Sequence, residues 1–237
     1  MMPALSLVSV KTRLGTRDFH YDFSLEGPGI VAVNGPSGAG KSTLLHLIAG
    51  FEVPQSGQVI MNGEEVTQTK PGKRPTSLVF QDHNLFAHLD VFTNVALGIS
   101  PSLTLGRTDK FRISEALDAV GLSGFEERMP QQLSGGEKQR AAFARVLVRN
   151  RPFLLLDEAF SSLDEALRES MGELLKRLQQ ENGLMVLMIS HDRREIRRLA
   201  DRVIEIRDGR NIFEGTRAEW EGFANGPDET VGSLKID

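Results

Sequence analysis

Three runs of consecutive apolar residues stand out along the chain of 237 residues, at 30–33, 153–156 and 185–189. A strand buried on both faces of a parallel sheet has this unbroken pattern, whereas a half-buried strand alternates apolar and polar positions. We therefore predict central strands at these three runs. Shorter patterns predict further strands at 5–10, 19–25, 59–61 and 203–207, which gives an α/β fold with a mixed sheet region.

Apolar residues recur at helical spacing in two other parts of the chain. Helical periodicity dominates residues 82–150, and one stripe there consists of Phe111, Ile113, Ala116, Leu117 and Val120. Residues 163–180 carry a second stripe, which stops at Asn182-Gly183. We predict one domain, 1–237, with the following parts: a core of 1–81 and 151–215, an inserted helical subdomain of 82–150, and a short C-terminal tail of 216–237.

A glycine-rich loop joins the first central strand to a helix. The loop and the start of the helix read Gly35, Pro36, Ser37, Gly38, Ala39, Gly40, Lys41, Ser42 and Thr43. A glycine, four residues and Gly-Lys-Ser form the phosphate-binding loop pattern, in which backbone N–H groups surround phosphate oxygens. Lys41 then reaches the β and γ phosphates, and the Ser42 hydroxyl is offered to Mg²⁺. The sequence therefore predicts binding of ATP with Mg²⁺.

Two adjacent carboxylates follow the second central run. Asp157 and Glu158 come directly after residues 153–156, and ligands of open α/β sheets bind beyond the carboxyl ends of strands. We expect Asp157 to hold Mg²⁺, directly or through water, and Glu158 to act as general base toward the attacking water. A strand that simply ends in solvated acids is the alternative, which the upstream phosphate loop disfavours.

Residues 133–139, Leu-Ser-Gly-Gly-Glu-Lys-Gln, lead into a further predicted helix that ends at Arg149. Ser134 and the two glycines form its entrance, and a helix N-terminus is an anion-binding end even without a lysine. Without its context, this string is most often an ordinary serine cap. Between the phosphate loop and the Asp-Glu strand, it resembles the signature motif of ATP-binding cassette (ABC) proteins, and the resemblance covers nearly the whole chain.

Three further positions match motifs of that family. Gln81 resembles the glutamine of its Q-loop, Asp164 lies in a string that resembles its D-loop, and His191 resembles its switch histidine. The resemblance implies the ABC ATPase fold, in which a P-loop NTPase (RecA-like) core carries an inserted helical signature lobe. It also implies that His191 contacts the γ-phosphate and that Gln81 contacts Mg²⁺ and the attacking water.

The family resemblance also implies partners. Two subunits pack head to tail, so that four signature residues of one subunit act on the ATP of the other: Ser134, Gly135, Gly136 and Glu137. The expected partners are therefore a second copy of this chain, a membrane permease and, indirectly, a periplasmic solute-binding protein. The expected location is the cytoplasmic face of the bacterial inner membrane, as a peripheral subunit.

Composition agrees with this interpretation. The net charge of −4 argues against a nucleic-acid partner, and the absence of cysteine excludes disulfides and thiolate metal sites. The five histidines lack metal-ligand spacing, so Mg²⁺ bound with ATP is the one metal expected. No apolar run approaches the roughly 18 residues needed to span a bilayer. The arginine-rich residues 193–198 are predicted to be a solvated helix face, with Glu195 pairing Arg194 or Arg198.

A more specific resemblance indicates which solute is transported. Residues 73–89 and 94–105 are similar to the corresponding stretch of bacterial thiamine-import ATPases, so thiamine or thiamine pyrophosphate is the first expectation. Importers of polyamine, iron or sulfate remain alternatives, and an ABC ATPase of DNA maintenance or translation is a more distant one. Leu85, Phe86 and Leu89, within residues 84–89, are predicted to form an apolar patch that contacts the permease, the alternative being that Phe86 and Leu89 fill the helical core.

Two departures from the family pattern are visible. Ala159 stands after Asp157-Glu158 where a proline is usual, which changes loop stiffness more than chemistry. Many family members also stack adenine on an aromatic residue upstream of the phosphate loop. Phe19 and Tyr21 are close to that position but belong to the next predicted strand, so no adenine-stacking residue is assigned.

Overall fold

The structure, a computed structural model, describes residues 2–79, 85–161 and 163–225. Within these residues, ten strands form one sheet: β1 (Ala4–Leu14), β2 (Arg17–Glu26), β3 (Gly29–Asn34), β4 (Ser56–Met61), β5 (Glu64–Glu65), β6 (Thr76–Val79), β7 (Phe153–Asp157), β8 (Met185–Ile189), β9 (Arg202–Arg207) and β10 (Arg210–Thr216). Across the sheet the order is β5-β4-β1-β2-β10-β9-β3-β8-β7-β6. The α/β class with a mixed sheet is thus confirmed.

The centre of the sheet is parallel. Strand β3 pairs in parallel with β8 and β9, and β7 pairs in parallel with β8 and β6. The unbroken apolar runs lie in β3, β7 and β8, where they are buried as predicted. Strand β1 pairs antiparallel with both β2 and β4. Since the carboxyl ends of β3 and β7 lie at one edge, the loops after Asn34 and Asp157 meet there.

Seven α-helices accompany the sheet in the described residues: α1 (Lys41–Ala49), α2 (Val91–Ala96), α3 (Arg107–Ala119), α4 (Gly135–Arg149), α5 (Glu165–Asn182), α6 (Arg193–Leu199) and α7 (Arg217–Asn225). Short 3₁₀ turns cover Pro71–Lys73 and Pro130–Gln132. Helices α3, α4 and α5 share one apolar core with β7 and β8. No helix among the described residues is long and apolar enough to cross a bilayer.

Three sequence predictions about burial and bounds were wrong. Phe111 is 64% exposed, because it lies two residues before the buried Ile113 and therefore on the opposite face of α3. Helix α5 begins at Glu165 and not at 163, because the Asp164 side chain accepts the Leu167 N–H at 2.9 Å and caps it. Glu195 is buried on the inner side of α6, and burial raises the pKa of its carboxyl.

The expected C-terminal tail begins with a helix that the sequence pattern did not predict. Helix α7 places Trp220 in a small core with Ala32, Ile196 and Val203, where its side chain is 1% exposed. The chain after Gly215 therefore adds a packed element beside the central strand β3.

Candidate active site

The phosphate loop runs from the end of β3 to the start of α1. Gly35, Gly38 and Gly40 all have positive φ, at 145°, 76° and 111°. A Cβ on Gly35 would lie 2.1 Å from the Ile206 carbonyl oxygen, and one on Gly40 would lie 2.5 Å from the Tyr21 hydroxyl. Glycine is therefore required at both positions for conformation and for space. The loop backbone closes into a concave cradle at the N-terminus of α1.

Three side chains fix this cradle. Lys41 Nζ donates to the carbonyl oxygens of Gly35 and Pro36, both at 2.9 Å, so the amine lies across the loop. The Tyr21 hydroxyl donates to the Gly40 carbonyl at 2.8 Å, and Arg17 Nη1 donates to the Gly38 carbonyl at 2.8 Å. Burial raises the pKa of Tyr21 well above its usual value, so the phenol remains a donor.

The contacts of Tyr21 and Arg17 with the phosphate loop were not predicted from the sequence. Phe19, Tyr21, Phe23 and Leu25 alternate with polar residues along β2, and all four are buried. Alternation alone carries no information about which loop crosses the end of that strand. Phe19 and Tyr21 are enclosed, at 7% and 0% exposed.

Ser42 and Asp157 come together from α1 and β7. Ser42 Oγ donates to Asp157 Oδ1 at 3.2 Å. Burial raises the pKa of Asp157, and the bond from Ser42 opposes that effect in part. A hydroxyl and a carboxylate beside a phosphate cradle are hard oxygen ligands of the kind that Mg²⁺ uses together with substrate phosphates. This pair therefore fits the predicted magnesium site. The third predicted ligand, Gln81, lies outside the described residues.

Glu158 has an unusual backbone conformation directly after β7. Its φ is 48°, in the left-handed region that costs a residue with a Cβ roughly 1–2 kcal/mol. The Ser161 hydroxyl and N–H both donate to the Glu158 carbonyl, at 2.8 and 3.1 Å, and hold this turn. The carboxylate Oε1 lies 3.9 Å from Nδ1 of His191, which follows β8. The structure thus brings Glu158 and His191 together, as their predicted roles require.

The signature string forms the N-terminus of α4. Ser134 is the N-cap: its Oγ accepts the Glu137 N–H at 3.3 Å, and its N–H donates to Glu137 Oε2 at 2.7 Å. The Glu137 carboxylate accepts from the backbone N–H of Ser134 and also from its hydroxyl, at 2.8 Å, and these two bonds lower the pKa of Glu137, with the backbone N–H as the larger cause. Ser134 and Gly135 are exposed, while Gly136 is buried against α5, where a Cβ would lie 2.6 Å from Leu167.

A buried glutamine links this helix to the loop after β7. Gln139 is 0% exposed, and its Nε2 donates to the Ala159 carbonyl at 2.7 Å. The residue lies in the signature string but was not predicted to have a functional contact. The feature that could have identified Gln139 is its place as a polar residue on the buried face of α4, three positions before Ala142. Asp164, predicted in the D-loop, caps α5 a few residues beyond the same loop.

Comparisons with known proteins agree with this geometry. Residues 20–161 match the family model described as ABC transporter. The thiamine import ATP-binding protein ThiQ of Brucella suis is 49% identical over 215 residues, covering 91% of this chain and 89% of the relative. Proteins of the same name from Rhizobium meliloti and Aliivibrio fischeri are 49% and 46% identical, covering 88% and 91% of this chain, and 88% and 92% of their own lengths.

A solved structure supports the fold independently of close sequence similarity. The nucleotide-free ATP-binding cassette from an ABC transporter superposes with a TM-score of 0.84 at 20% identity, covering 95% of this chain and 96% of that one. At this level of identity the likeness bears on the fold alone.

Proposed function

Because this chain belongs to the ABC transporter family of ATP-binding proteins and is an ATPase, we propose that it drives the import of thiamine or thiamine pyrophosphate through a membrane permease. The solute is proposed from the names of relatives that are 46–49% identical over about nine tenths of the chain. One observation supports the motor activity above all: the phosphate cradle, the Ser42–Asp157 pair and the Glu158–His191 pair lie on the same edge of the sheet.

ATP hydrolysis would proceed by positioning and electrostatic stabilisation. The loop N–H groups and Lys41 hold the β and γ phosphates, and Ser42 with Asp157 would hold Mg²⁺, which supplies positive charge to the phosphate oxygens when bound. Glu158 orients the attacking water and accepts its proton, while His191 contacts the γ-phosphate. The predicted contact of Gln81 with the same water remains a prediction.

The second half of each site would come from another copy of the chain. Ser134 and Gly135 are exposed at the N-terminus of α4, where helix N–H groups favour an anion. In a head-to-tail homodimer this end of α4, with Gly136 and Glu137, faces the γ-phosphate held by the partner's phosphate loop. Asp164 lies in the D-loop beside that interface. Hydrolysis therefore requires two subunits.

Contact with the permease is proposed at residues 85–89. Phe86 is 49% exposed and its ring meets His88 edge to face, with 6.0 Å between ring centroids. Leu85 packs against the core of the helical elements, which fixes the segment on the subunit. An exposed phenylalanine on an anchored segment suits a short apolar helix of a membrane partner. This docking would bring the subunit to the membrane as a peripheral component.

Uptake of labelled thiamine in the source bacterium tests the proposed function. The gene is deleted and restored as wild type, Glu158→Gln or Phe86→Ala. We expect deletion to abolish uptake and wild type to restore it. Glu158→Gln loses roughly 10²- to 10⁴-fold in hydrolysis, the contribution of a general base, and loses uptake with it. Phe86→Ala loses uptake while the purified subunit keeps its ATPase activity and melting temperature.

Phe111→Ala is the matched control, because Phe111 is the more exposed phenylalanine, at 64%, and lies outside residues 85–89. This variant should transport like wild type. If deletion leaves thiamine uptake intact and lowers uptake of polyamine, iron or sulfate, the proposed solute is wrong. A large fall in the melting temperature of Phe86→Ala would show that Phe86 fills the core.

A further inference from the structure

Helix α7 is joined to the strand that enters the phosphate loop. Trp220 Nε1 donates to Glu205 Oε2 at 3.0 Å, and Asn34 Nδ2 donates to the same oxygen at 2.7 Å. Asn34 is the last residue of β3 and immediately precedes Gly35. Glu205 and Trp220 are 7% and 1% exposed, so these bonds are shielded from water. The carboxylate thus connects the indole with the residue immediately before the phosphate loop.

The same tryptophan also contacts the helix that follows His191. The guanidinium carbon of Arg193 lies 5.7 Å from the Trp220 ring centroid, and Arg193 Nη2 donates to the Ala224 carbonyl of α7 at 3.4 Å. Arg193 is the first residue of α6, two positions after His191. Further along, Arg197 and Glu221 form an ion pair at 3.5 Å. Helix α7 is therefore attached to α6 at both its middle and its end.

We propose that Trp220 is a positioning residue, which fixes the strand entering the phosphate loop and the helix following His191 in one arrangement. Without Trp220 the phosphate loop keeps its own local contacts and β8 stays paired with β3, whereas the position of α6, directly after His191, depends on α7. Trp220 therefore supports turnover more than it supports ATP binding. This inference rests on the proposed contact of His191 with the γ-phosphate.

Trp220 is the only tryptophan in the sequence, so its fluorescence reports on this junction alone. Contact of His191 with a γ-phosphate would shift α6 and move the charge of Arg193 relative to the indole. We expect the emission of the wild-type protein to change with ATP or its non-hydrolysable imido analogue in the presence of Mg²⁺. The change should be much smaller with ADP, and Lys41→Ala should show none. Emission that stays constant while equilibrium dialysis shows bound ATP would overturn the inference.

Variants give a second, independent test. Trp220→Phe keeps a ring in the core but removes the N–H that reaches Glu205. We expect kcat to fall about tenfold, the effect of losing one hydrogen bond to a charged group, with ATP affinity within about twofold of wild type. Phe223→Ala is the control, because Phe223 stacks on Phe213 at 5.0 Å and packs the same helix without touching Glu205 or Arg193.

The outcomes distinguish failure of the positioning role of Trp220 from failure of the proposed ATPase function. Wild-type kcat in Trp220→Phe, or an equal loss in Phe223→Ala, would assign α7 to stability alone and overturn the positioning role. A tenfold loss of ATP affinity with unchanged kcat would also overturn it. Absence of ATP hydrolysis by the wild-type protein would contradict the proposed function itself. Should Trp220→Phe not fold, the wild-type fluorescence experiment still decides.

Discussion

The N-termini of helices α1 and α4, both proposed to act on phosphate, are held in different ways. The start of α1 is supported by other segments of its own chain: β2 supplies Tyr21, β9 closes against Gly35 through Ile206, and β7 supplies Asp157. The start of α4 is capped by its own residues, Ser134 and Glu137, and stays exposed. The start of α1 is thus held by contacts within the subunit, while in the proposed head-to-tail dimer the start of α4 would present its donors to another copy of the chain.

The glycines at the starts of α1 and α4 also allow different close contacts. A Cβ at Gly40 would strike the hydroxyl of Tyr21, so the loop before α1 is held against an enclosed side chain. Gly136 instead permits the close approach of α4 to Leu167 of α5. The first contact shapes a binding surface, and the second sets the position of a whole helix. Substitutions at the two ends should therefore separate nucleotide binding from hydrolysis.

The largest expected effects are those of Lys41→Ala on ATP binding and of Ser134→Arg on ATP hydrolysis. Lys41→Ala should lose ATP binding, because the cradle loses its cation. Ser134→Arg should bind ATP as a monomer almost like wild type and lose at least about 10²-fold in hydrolysis, the scale of removing a transition-state donor. Equilibrium dialysis and phosphate release measure the two quantities.

A mixture of the two variants should regain activity, because a heterodimer pairs one intact phosphate loop with one intact signature end. Ser102→Arg, at an exposed serine elsewhere, is the control and should behave like wild type. Loss of monomer ATP binding in Ser134→Arg as complete as in Lys41→Ala would refute the head-to-tail site.

A smaller effect is expected from Tyr21→Phe. Removing the hydroxyl leaves the Gly40 carbonyl without its donor, and a lost hydrogen bond of this kind costs about 1 kcal/mol, or roughly fivefold in affinity. Isothermal titration of ATP into the monomer measures it. Phe23→Leu changes the same buried face of β2 without touching the loop, so it should lower the melting temperature but leave ATP affinity unchanged. Equal affinities in Tyr21→Phe and wild type would show that the hydroxyl is dispensable.

The smallest expected effect is on the melting temperature of Asp157→Asn, which should rise above that of the wild type. Burial raises the pKa of Asp157 in the folded state, so the protonated form favours folding and the ionised form opposes it at neutral pH. Asp157→Asn should abolish hydrolysis yet melt about 1–2 °C higher at pH about 7.5, a modest gain because the carboxylate is only partly buried.

That gain should shrink at acidic pH, because the raised pKa of Asp157 means that the wild-type carboxyl becomes protonated as the pH falls. Scanning calorimetry without nucleotide at neutral and acidic pH measures it. Asp18→Asn, at an exposed aspartate, is the control and should show no gain. A lower melting temperature for Asp157→Asn at neutral pH would contradict the desolvation argument.

Sequence reasoning succeeded where structure follows from neighbouring residues. The central strands, the loop before Lys41 and the cap at Ser134 are local patterns, so they could be predicted, and the fold class followed from them. The contacts of Tyr21 with Gly40 and of Gln139 with Ala159 join residues 19 and 20 positions apart. Such contacts depend on how elements cross, which periodicity does not contain.

Helix α7 and Glu195 were missed for a different reason. Helix α7 has nine residues and buries mainly Trp220, so it offers too few apolar positions to form a recognisable stripe. Glu195 lies among arginines, and charge runs usually indicate solvent. Its position beside Ile196 instead turned the carboxylate toward the interior. In both cases tertiary packing decided what the local pattern left open.

The position of β3 in the sheet has a consequence for synthesis on the ribosome. Val31 pairs with Leu187 on one side and with Arg202 on the other, so both neighbours of this strand come from the last quarter of the chain. A nascent chain carries the phosphate loop early but cannot enclose it until β8 and β9 have emerged. At roughly 5–20 residues per second, that interval is on the order of 10–30 s. During this time both edges of strand β3 are unpaired, which leaves it open to wrong pairing until β8 and β9 are available.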